Sequence, residues 1–195
     1  TCLDTLNLSF HLNLPRGKET LLDLVRQQPD IAPGVIVGSN DPAYVAFTSG
    51  STGEPKGVLS RHGPITHFLP WQKEAFDLFE TDRFCLLSGL AYNHLHRDIF
   101  TALYLGARHY VPPPNIVREP AQLMEWFRMN GISVLHLTPA LGQLLVTAAA
   151  EPLPALRRVF FGGDVLTWGD VARIRALAPN ATIGCFYGAT ETQRA

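Results

Sequence analysis

The chain reads as an α/β domain, a largely parallel sheet flanked by helices. Three observations predict it. From Phe84 onward, short apolar runs alternate with longer amphipathic ones, in the order strand then helix, several times over. The short runs are continuously apolar, as strands are when helices cover both faces. A length of 195 residues, with 46% hydrophobic and 17% charged content, suits one good core and leaves room for a second small domain.

The elements follow in order. Residues 1–42 read as a linker or partial subdomain, and 43–195 as the core. Leu6, Leu8 and Phe10 alternate with polar residues, as in a short half-buried strand. Glu19 to Gln28 suits a helix that ends before Pro29. Pro33, Gly34, Gly38, Asn40, Asp41 and Pro42 mark turns. The chain opens at Thr1 in mid-pattern, and is read as an excised or processed piece.

Tyr44-Val45-Ala46-Phe47 reads as a buried strand, and Val58-Leu59 continues in strand. A helix is expected from about Gly63 to Phe79, with Trp71, Ala75, Phe76 and Phe79 at helical spacing. Strands are expected near 84–88, 108–111, 132–137, 157–161 and 182–186, and helices near 95–105, 119–129, 139–149 and 167–177. Pro112-Pro113-Pro114 is a stiff connection. Ligands of open α/β sheets sit at the carboxyl ends of strands. The segment after Phe47, Ser88-Gly89, Thr138-Pro139, Gly162-Gly163 and Tyr187-Gly188 each follow an expected strand, so five strand ends are expected to converge on one crevice.

Charge excludes some functions. A net charge of −1 gives no general attraction to nucleic acid or anionic lipid, and neither is expected as a partner. Arg157-Arg158 and the Arg173/Arg175 pair read as solvated edges. Cys2, Cys85 and Cys185 show no C-x-x-C spacing. Cys85 and Cys185 lie in apolar runs and read as buried free thiols, which favours a reducing compartment. No targeting segment is visible, and the apolar window 134–150 is broken by His136, Thr138, Pro139 and Gln143. A cytoplasmic protein is expected.

The chemistry centres on Thr48-Ser49-Gly50-Ser51-Thr52-Gly53-Glu54-Pro55-Lys56-Gly57. Four hydroxyl residues, three glycines and one lysine fall within ten positions. Glycines let the backbone fold closely around a ligand. Exposed N–H groups and hydroxyls then donate to phosphate oxygens, and Lys56 adds a point charge. Pro55 and Gly57 on either side of Lys56 exclude a Walker A loop. A mobile Ser/Gly surface turn is the bland alternative.

This stretch resembles the phosphate-binding signature of adenylate-forming enzymes: acyl-CoA synthetases, luciferases and nonribosomal peptide synthetase adenylation domains. Tyr187-Gly188-Ala189-Thr190-Glu191 is similar to the family's Y-G-x-T-E, Gly162-Gly163-Asp164 to its G-G-E/D, and Thr138-Pro139 to its T-P. The resemblance implies that Tyr187 stacks on adenine beside Gly188. It also implies that Thr190 contacts the α-phosphate, that Glu191 holds Mg²⁺, and that Gly162 and Gly163 line the pocket. Lys56, Thr190 and Glu191 are thus the expected catalytic residues. Asp164 also reads as an N-cap for a helix beginning near Leu166.

The segment from Ser88 to Phe100 bears on the substrate. His94 and His96 do not share a helical face, which argues against a metal pair. The run from Ser88 to Ala107, with His136-Leu137-Thr138-Pro139 and Thr190-Glu191-Thr192-Gln193-Arg194-Ala195, is similar to the adenylation domain of α-aminoadipate reductases. By that resemblance Tyr92, Asn93, Arg97, His136, Phe186 and Arg194 line an acyl pocket, with Arg97 and Arg194 suited to bidentate capture of a carboxylate. Asn93 stands where amino-acid-activating relatives carry an aspartate that pairs with an α-ammonium. A carboxylate-tailed acid without that ammonium therefore fits these residues better.

The resemblance implies ATP-dependent activation of a carboxylic or amino acid as an acyl-adenylate. It further implies loading on the phosphopantetheine of a carrier-protein domain, with NADPH needed if a reductase domain follows. Relatives continue into a small domain with a catalytic lysine, so the 195 residues alone are expected to be inactive. An acyl- or aryl-CoA ligase and a non-catalytic nucleotide-binding module are the alternatives.

Overall fold

The computed structural model describes residues 23, 26, 27, 29, 31, 34–48, 56–89 and 95–190. The expected helix at 19–28 and strand near Leu6 to Phe10 lie largely or wholly outside them. A five-stranded parallel sheet organises the rest, in the order β4-β3-β5-β6-β7. Its strands are β3 (Arg83–Cys85), β4 (Arg108–Tyr110), β5 (Val134–Leu137), β6 (Arg158–Gly162) and β7 (Thr182–Phe186). Each overlaps a strand expected from sequence, as the fold class requires. Val134, Leu135, Val159, Phe160 and Phe161 are at most 1% exposed, so the apolar runs do mark strands covered on both sides.

Helices form the outer layers. Before the sheet lies α1 (His62–Ala75), and between its strands run α2 (Leu95–Leu105), the single turn α3 (Pro114–Val117), α4 (Pro120–Asn130), α5 (Pro139–Ala148) and α6 (Trp168–Leu177). Leu135, Leu137, Val159 and Phe161 pack with Leu123, Phe127, Leu145 and Ile174 of α4, α5 and α6. The alternate residues Phe84, Val134 and Phe160 pack with Leu78 and Ala102, on the side of α1 and α2. Period-two alternation thus assigns the two faces to different helices. β3 leads through α2 to one neighbour, whereas β5, β6 and β7 are added in the opposite direction. Right-handed crossovers require the helices to change face when the direction reverses, and they do.

Local chemistry fixes the helix ends. Thr138 caps α5, its hydroxyl accepting from Leu141 N at 3.3 Å, with Pro139 in the first turn. α6 carries a full capping box: Asp170 N donates to Thr167 Oγ1, and Thr167 N donates to Asp170 Oδ2 at 3.0 Å. The expected Asp164 cap is therefore corrected to Thr167; Asp164 Oδ1 accepts from its neighbour Val165 N at 2.7 Å. α1 stops at Ala75 rather than near Phe79, because Asp77 adopts φ 48° and breaks the turn.

Three further expectations are corrected. β1 (Pro42–Thr48) and β2 (Lys56–Arg61) form an antiparallel hairpin outside the parallel sheet. Tyr44 to Phe47 is consequently not a buried core strand, and Phe47 is 42% exposed. Arg157 and Arg158 are not solvated edges: Arg157 grips the carboxylate of Asp82, and Arg158 Nε donates to Phe76 O at 2.6 Å. Cys85 is buried as expected, but Cys185 is exposed on the edge strand β7.

Two outcomes follow from this packing. A Cβ on Gly142 of α5 would sit 2.8 Å from Cε1 of Phe161, a ring only 1% exposed. Gly142→Ala gains about 1 kcal/mol of helix propensity against an overpacking cost of ~1–3 kcal/mol. We expect net destabilisation, read as a lower urea midpoint at unchanged slope. Separately, Asp170 accepts from the Thr167 hydroxyl, Gln143 Nε2, Thr167 N and Arg173 Nη2, and the first of these does most to hold its carboxyl below the usual range. A depressed folded value gives stability that is complete above about pH 4 and lost as pH falls through the folded value. The stability difference between wild type and Asp170→Asn should therefore shrink in urea titrations taken from pH 6 to pH 3.

Candidate active site

The carboxyl edge of the sheet is where the chemistry-bearing residues gather. Ser88-Gly89 follows β3, Thr138 follows β5, Gly162-Gly163 closes β6, and Phe186-Tyr187-Gly188 closes and follows β7. β3 and β5 share one backbone pair, Phe84 with Val134, after which β3 keeps to β4 through Leu86 N to Tyr110 O at 2.9 Å. The order of the strands reverses at this junction, which is where open α/β sheets part to admit a ligand.

Four of the five expected strand ends therefore belong to one edge; the fifth, the glycine segment, belongs to the hairpin. Thr48 ends β1 half-buried and pairs in register with the exposed Lys56, which opens β2. Ser49, Gly50, Ser51, Thr52 and Gly53 lie outside the described residues, as do Tyr92, Asn93, Glu191 and Arg194. The hairpin meets the helical layer through Tyr44, whose ring centroid is 4.0 Å from that of His96 on α2.

Gly162 is buried, whereas Gly163 is exposed with φ 86°, a backbone conformation that a side chain strains. Tyr187 is fully exposed, leaving its ring faces open to a planar ligand. Thr190 is half-buried. Among the described residues no cluster of His, Cys, Asp and Glu could hold a metal ion.

Arg97 and His136, both 6% exposed, are brought together across the switch point. The Arg97 guanidinium lies over Phe186, 4.7 Å from the ring centroid. Phe186 meets Phe160 at 5.2 Å, Phe160 stacks on His136 at 5.1 Å, and His136 Nδ1 is 2.7 Å from Asp98 Oδ1. Asp98 adjoins Arg97 on α2, so these contacts close a circuit through α2, β5, β6 and β7.

Reading by motif missed the polar side of that circuit. Gln72 of α1 is fully buried and faces His136 Nε2 at 3.3 Å, and Thr101 Oγ1 donates to Gln72 Oε1 at 2.8 Å. A signal existed. The buried face of α2 is Arg97, Asp98, Thr101 and Ala102, a helical stripe that is polar where a plain core helix would be apolar.

The model of the family described as AMP-binding enzyme matches residues 4–194. The chain belongs to this family. It is 47% identical over 166 residues to the L-2-aminoadipate reductase of Saccharomyces cerevisiae, covering 85% of the chain and 12% of that protein. It is 33% identical to bacitracin synthase 3 of Bacillus licheniformis, covering 80% of the chain and 2% of the synthase. Among solved structures, the nonribosomal peptide synthetase FmoA3 in its AMPPNP-bound form superposes with a TM-score of 0.78 at 33% identity, covering 94% of this chain and 20% of that one. This AMP-binding chain thus spans a small fraction of the proteins it matches. No helix among its described residues is long and apolar enough to cross a membrane.

The two described cysteines should separate chemically. Burial pushes the Cys85 thiol far above its ordinary value, and the Asp98 carboxylate adds to the effect. Iodoacetamide at pH 8 should label Cys185 in the folded protein and Cys85 only after denaturation, as read by peptide mass spectrometry.

Proposed function

We propose that the chain is the nucleotide- and acid-binding part of an enzyme that activates a carboxylic or amino acid as its acyl-adenylate. The observation that carries this reading is the shared carboxyl edge. Gly163 with its positive φ follows β6, the exposed Tyr187 ring follows β7, and Arg97 of α2 lies over Phe186 of β7, all at the carboxyl edge of a sheet whose strand order reverses between β3 and β5. Family membership and the 47% identity to an aminoadipate reductase support it.

The residues present suit a nucleotide. The Tyr187 ring is free to stack on adenine, and the exposed Gly163 beside the buried Gly162 offers a surface without a side chain. Thr48 and Lys56, paired across the hairpin, bring a hydroxyl and a cation together at its end. Thr190 would hold the α-phosphate. Bound Mg²⁺, with Glu191 as its protein ligand, supplies charge neutralisation at the phosphates.

What the protein contributes is placement and charge. It sets the acid's carboxylate in line with the α-phosphorus, so that pyrophosphate departs as the acyl–phosphate bond forms. No covalent protein nucleophile takes part. Arg97, desolvated over Phe186, suits the tail carboxylate of a dicarboxylic substrate, and the family resemblance assigns Tyr92, Asn93 and Arg194 to the same acid. In the full-length polypeptide the product would pass to the phosphopantetheine of a carrier domain, and NADPH would enter if a reductase domain follows.

The test is acid-dependent ATP–pyrophosphate exchange by the full-length polypeptide, offered 2-aminoadipate, adipate, 2-oxoadipate and aryl acids. We expect exchange with a six-carbon dicarboxylic acid. Lys56→Ala should reduce it at least about tenfold, since a charge-assisted phosphate contact contributes roughly 1.5–3 kcal/mol. Exchange that no acid stimulates would overturn the reading.

A further inference from the structure

Asp98 poses a problem of charge. Its side chain is fully buried, and a buried carboxylate needs donors. His136 Nδ1, 2.7 Å away, can supply a proton only if that nitrogen carries one. Which nitrogen of an imidazole is protonated is set by the group facing the other one. Here that group is the Gln72 amide, and its orientation is set in turn by Thr101.

The chain of donors runs one way. Thr101 Oγ1–H donates to Gln72 Oε1 at 2.8 Å, so the Gln72 NH₂ is the end turned towards His136 Nε2 at 3.3 Å. An NH₂ facing that nitrogen requires a lone pair there. The proton of neutral His136 is then on Nδ1, the nitrogen 2.7 Å from Asp98 Oδ1, and neither oxygen of Asp98 completes a hydrogen bond among the described residues. Gln72 and Thr101 are both fully buried, so water does not compete for these bonds. His136 Nε2 faces Gln72, Nδ1 lies 2.7 Å from Asp98 Oδ1, and the ring's face is stacked on Phe160. His136 therefore meets a ligand as a positioned ring rather than as a donor.

We infer that Gln72 and Thr101 are positioning residues for the acid pocket: they hold the Nδ1 edge of His136 against Asp98, which anchors the first turn of α2 and keeps Arg97 over Phe186. This rests on the reading of Arg97 as the cation that receives the acid. Neither residue touches the proposed nucleotide-binding groups. Their influence should therefore fall on the acid and spare ATP.

The experiment is pyrophosphate exchange by the full-length polypeptide, with KM measured separately for the acid and for ATP. Thr101→Val removes the hydroxyl at equal volume. Gln72→Glu keeps the acceptor for Thr101 but replaces the NH₂ facing His136 Nε2 with an oxygen, so Nε2 must carry a proton and the ring is no longer held as the neutral Nδ1–H tautomer. Each variant should raise the acid KM about tenfold, the effect of one lost buried hydrogen bond, while ATP KM changes less than about twofold. Thr101→Ser should restore the acid KM to within about threefold of wild type.

An unchanged acid KM in folded Thr101→Val and Gln72→Glu would overturn the inference. So would a parallel rise in both KM values with a lowered Tm, which is what a merely structural role produces. A Thr101→Ser variant as impaired as Thr101→Val would overturn it too. Should Thr101→Val fail to fold, the isosteric Gln72→Glu decides alone. Exchange by wild type without a variant effect sinks only this inference; absence of acid-stimulated exchange in wild type sinks the adenylation reading and this one together.

Discussion

The sheet depends on one carboxylate at its amino edge. Asp82 immediately precedes β3 and is 2% exposed. Its Oδ1 accepts from Ser133 Oγ and Arg157 Nε, each at 2.7 Å; its Oδ2 accepts from Phe79 N at 2.8 Å and from Arg157 Nη2. Ser133 immediately precedes β5, and Arg157 immediately precedes β6. A single side chain therefore ties the roots of three strands. It matters most where the ladder is thinnest, because β3 and β5 share only one backbone pair. Removing one partner of a buried, hydrogen-bonded ion pair costs about 3–5 kcal/mol. Exposed pairs such as Arg26 with Asp23 contribute about 0–1 kcal/mol. That contrast sets Asp82 apart from the exposed ion pairs among the described residues.

A clasp at the amino edge leaves the carboxyl edge free to open. Once β3 turns to β4, nothing in the backbone ladder holds it to β5 above Phe84 and Val134. The contacts that span the opening are side-chain ones: Asp98 with His136, Gln72 with His136, and the ladder of Phe160, Phe186 and Arg97. These groups are polar or polarisable, and they lie where strand geometry no longer supplies hydrogen bonds. The division of labour is physical. The amino edge spends its buried charge on rigidity, and the carboxyl edge spends its own on orienting groups around a space.

The sequence pattern made the five parallel strands legible because burial on both faces leaves an unbroken apolar run. The same rule misled at Tyr44-Val45-Ala46-Phe47. An apolar run of that length also suits one strand of a hairpin, and only the partner at Val58-Leu59, antiparallel and in register, distinguishes the two. Arg157 and Arg158 misled for a related reason. Adjacent arginines look solvated, but their partners Asp82 and Asp77 lie 75 and 81 positions earlier, beyond any local pattern. The cap of α6 was within reach: Thr167 with Asp170 three residues on is a capping-box pattern, and Asp164 drew the assignment only because it followed two glycines.

The candidate site divides in the same way. Its glycines, Tyr187 and Lys56 announce themselves, since backbone approach, stacking and phosphate charge each demand particular residue types in short order. Gln72, Asp98 and Thr101 do not, because what selects them is three-dimensional. An amide on α1, a hydroxyl on α2 and an imidazole on β5 converge although Gln72 and His136 stand 64 positions apart. What the sequence does carry is a mismatch: Asp98 and Thr101 occupy the positions at which α2 should have been apolar. A helix that buries a carboxylate and a hydroxyl incurs desolvation that groups on neighbouring elements must offset, as His136 Nδ1 at 2.7 Å from Asp98 and Gln72 beside Thr101 do here. A polar stripe on a core-facing helix therefore points to partners on neighbouring elements before those partners can be named.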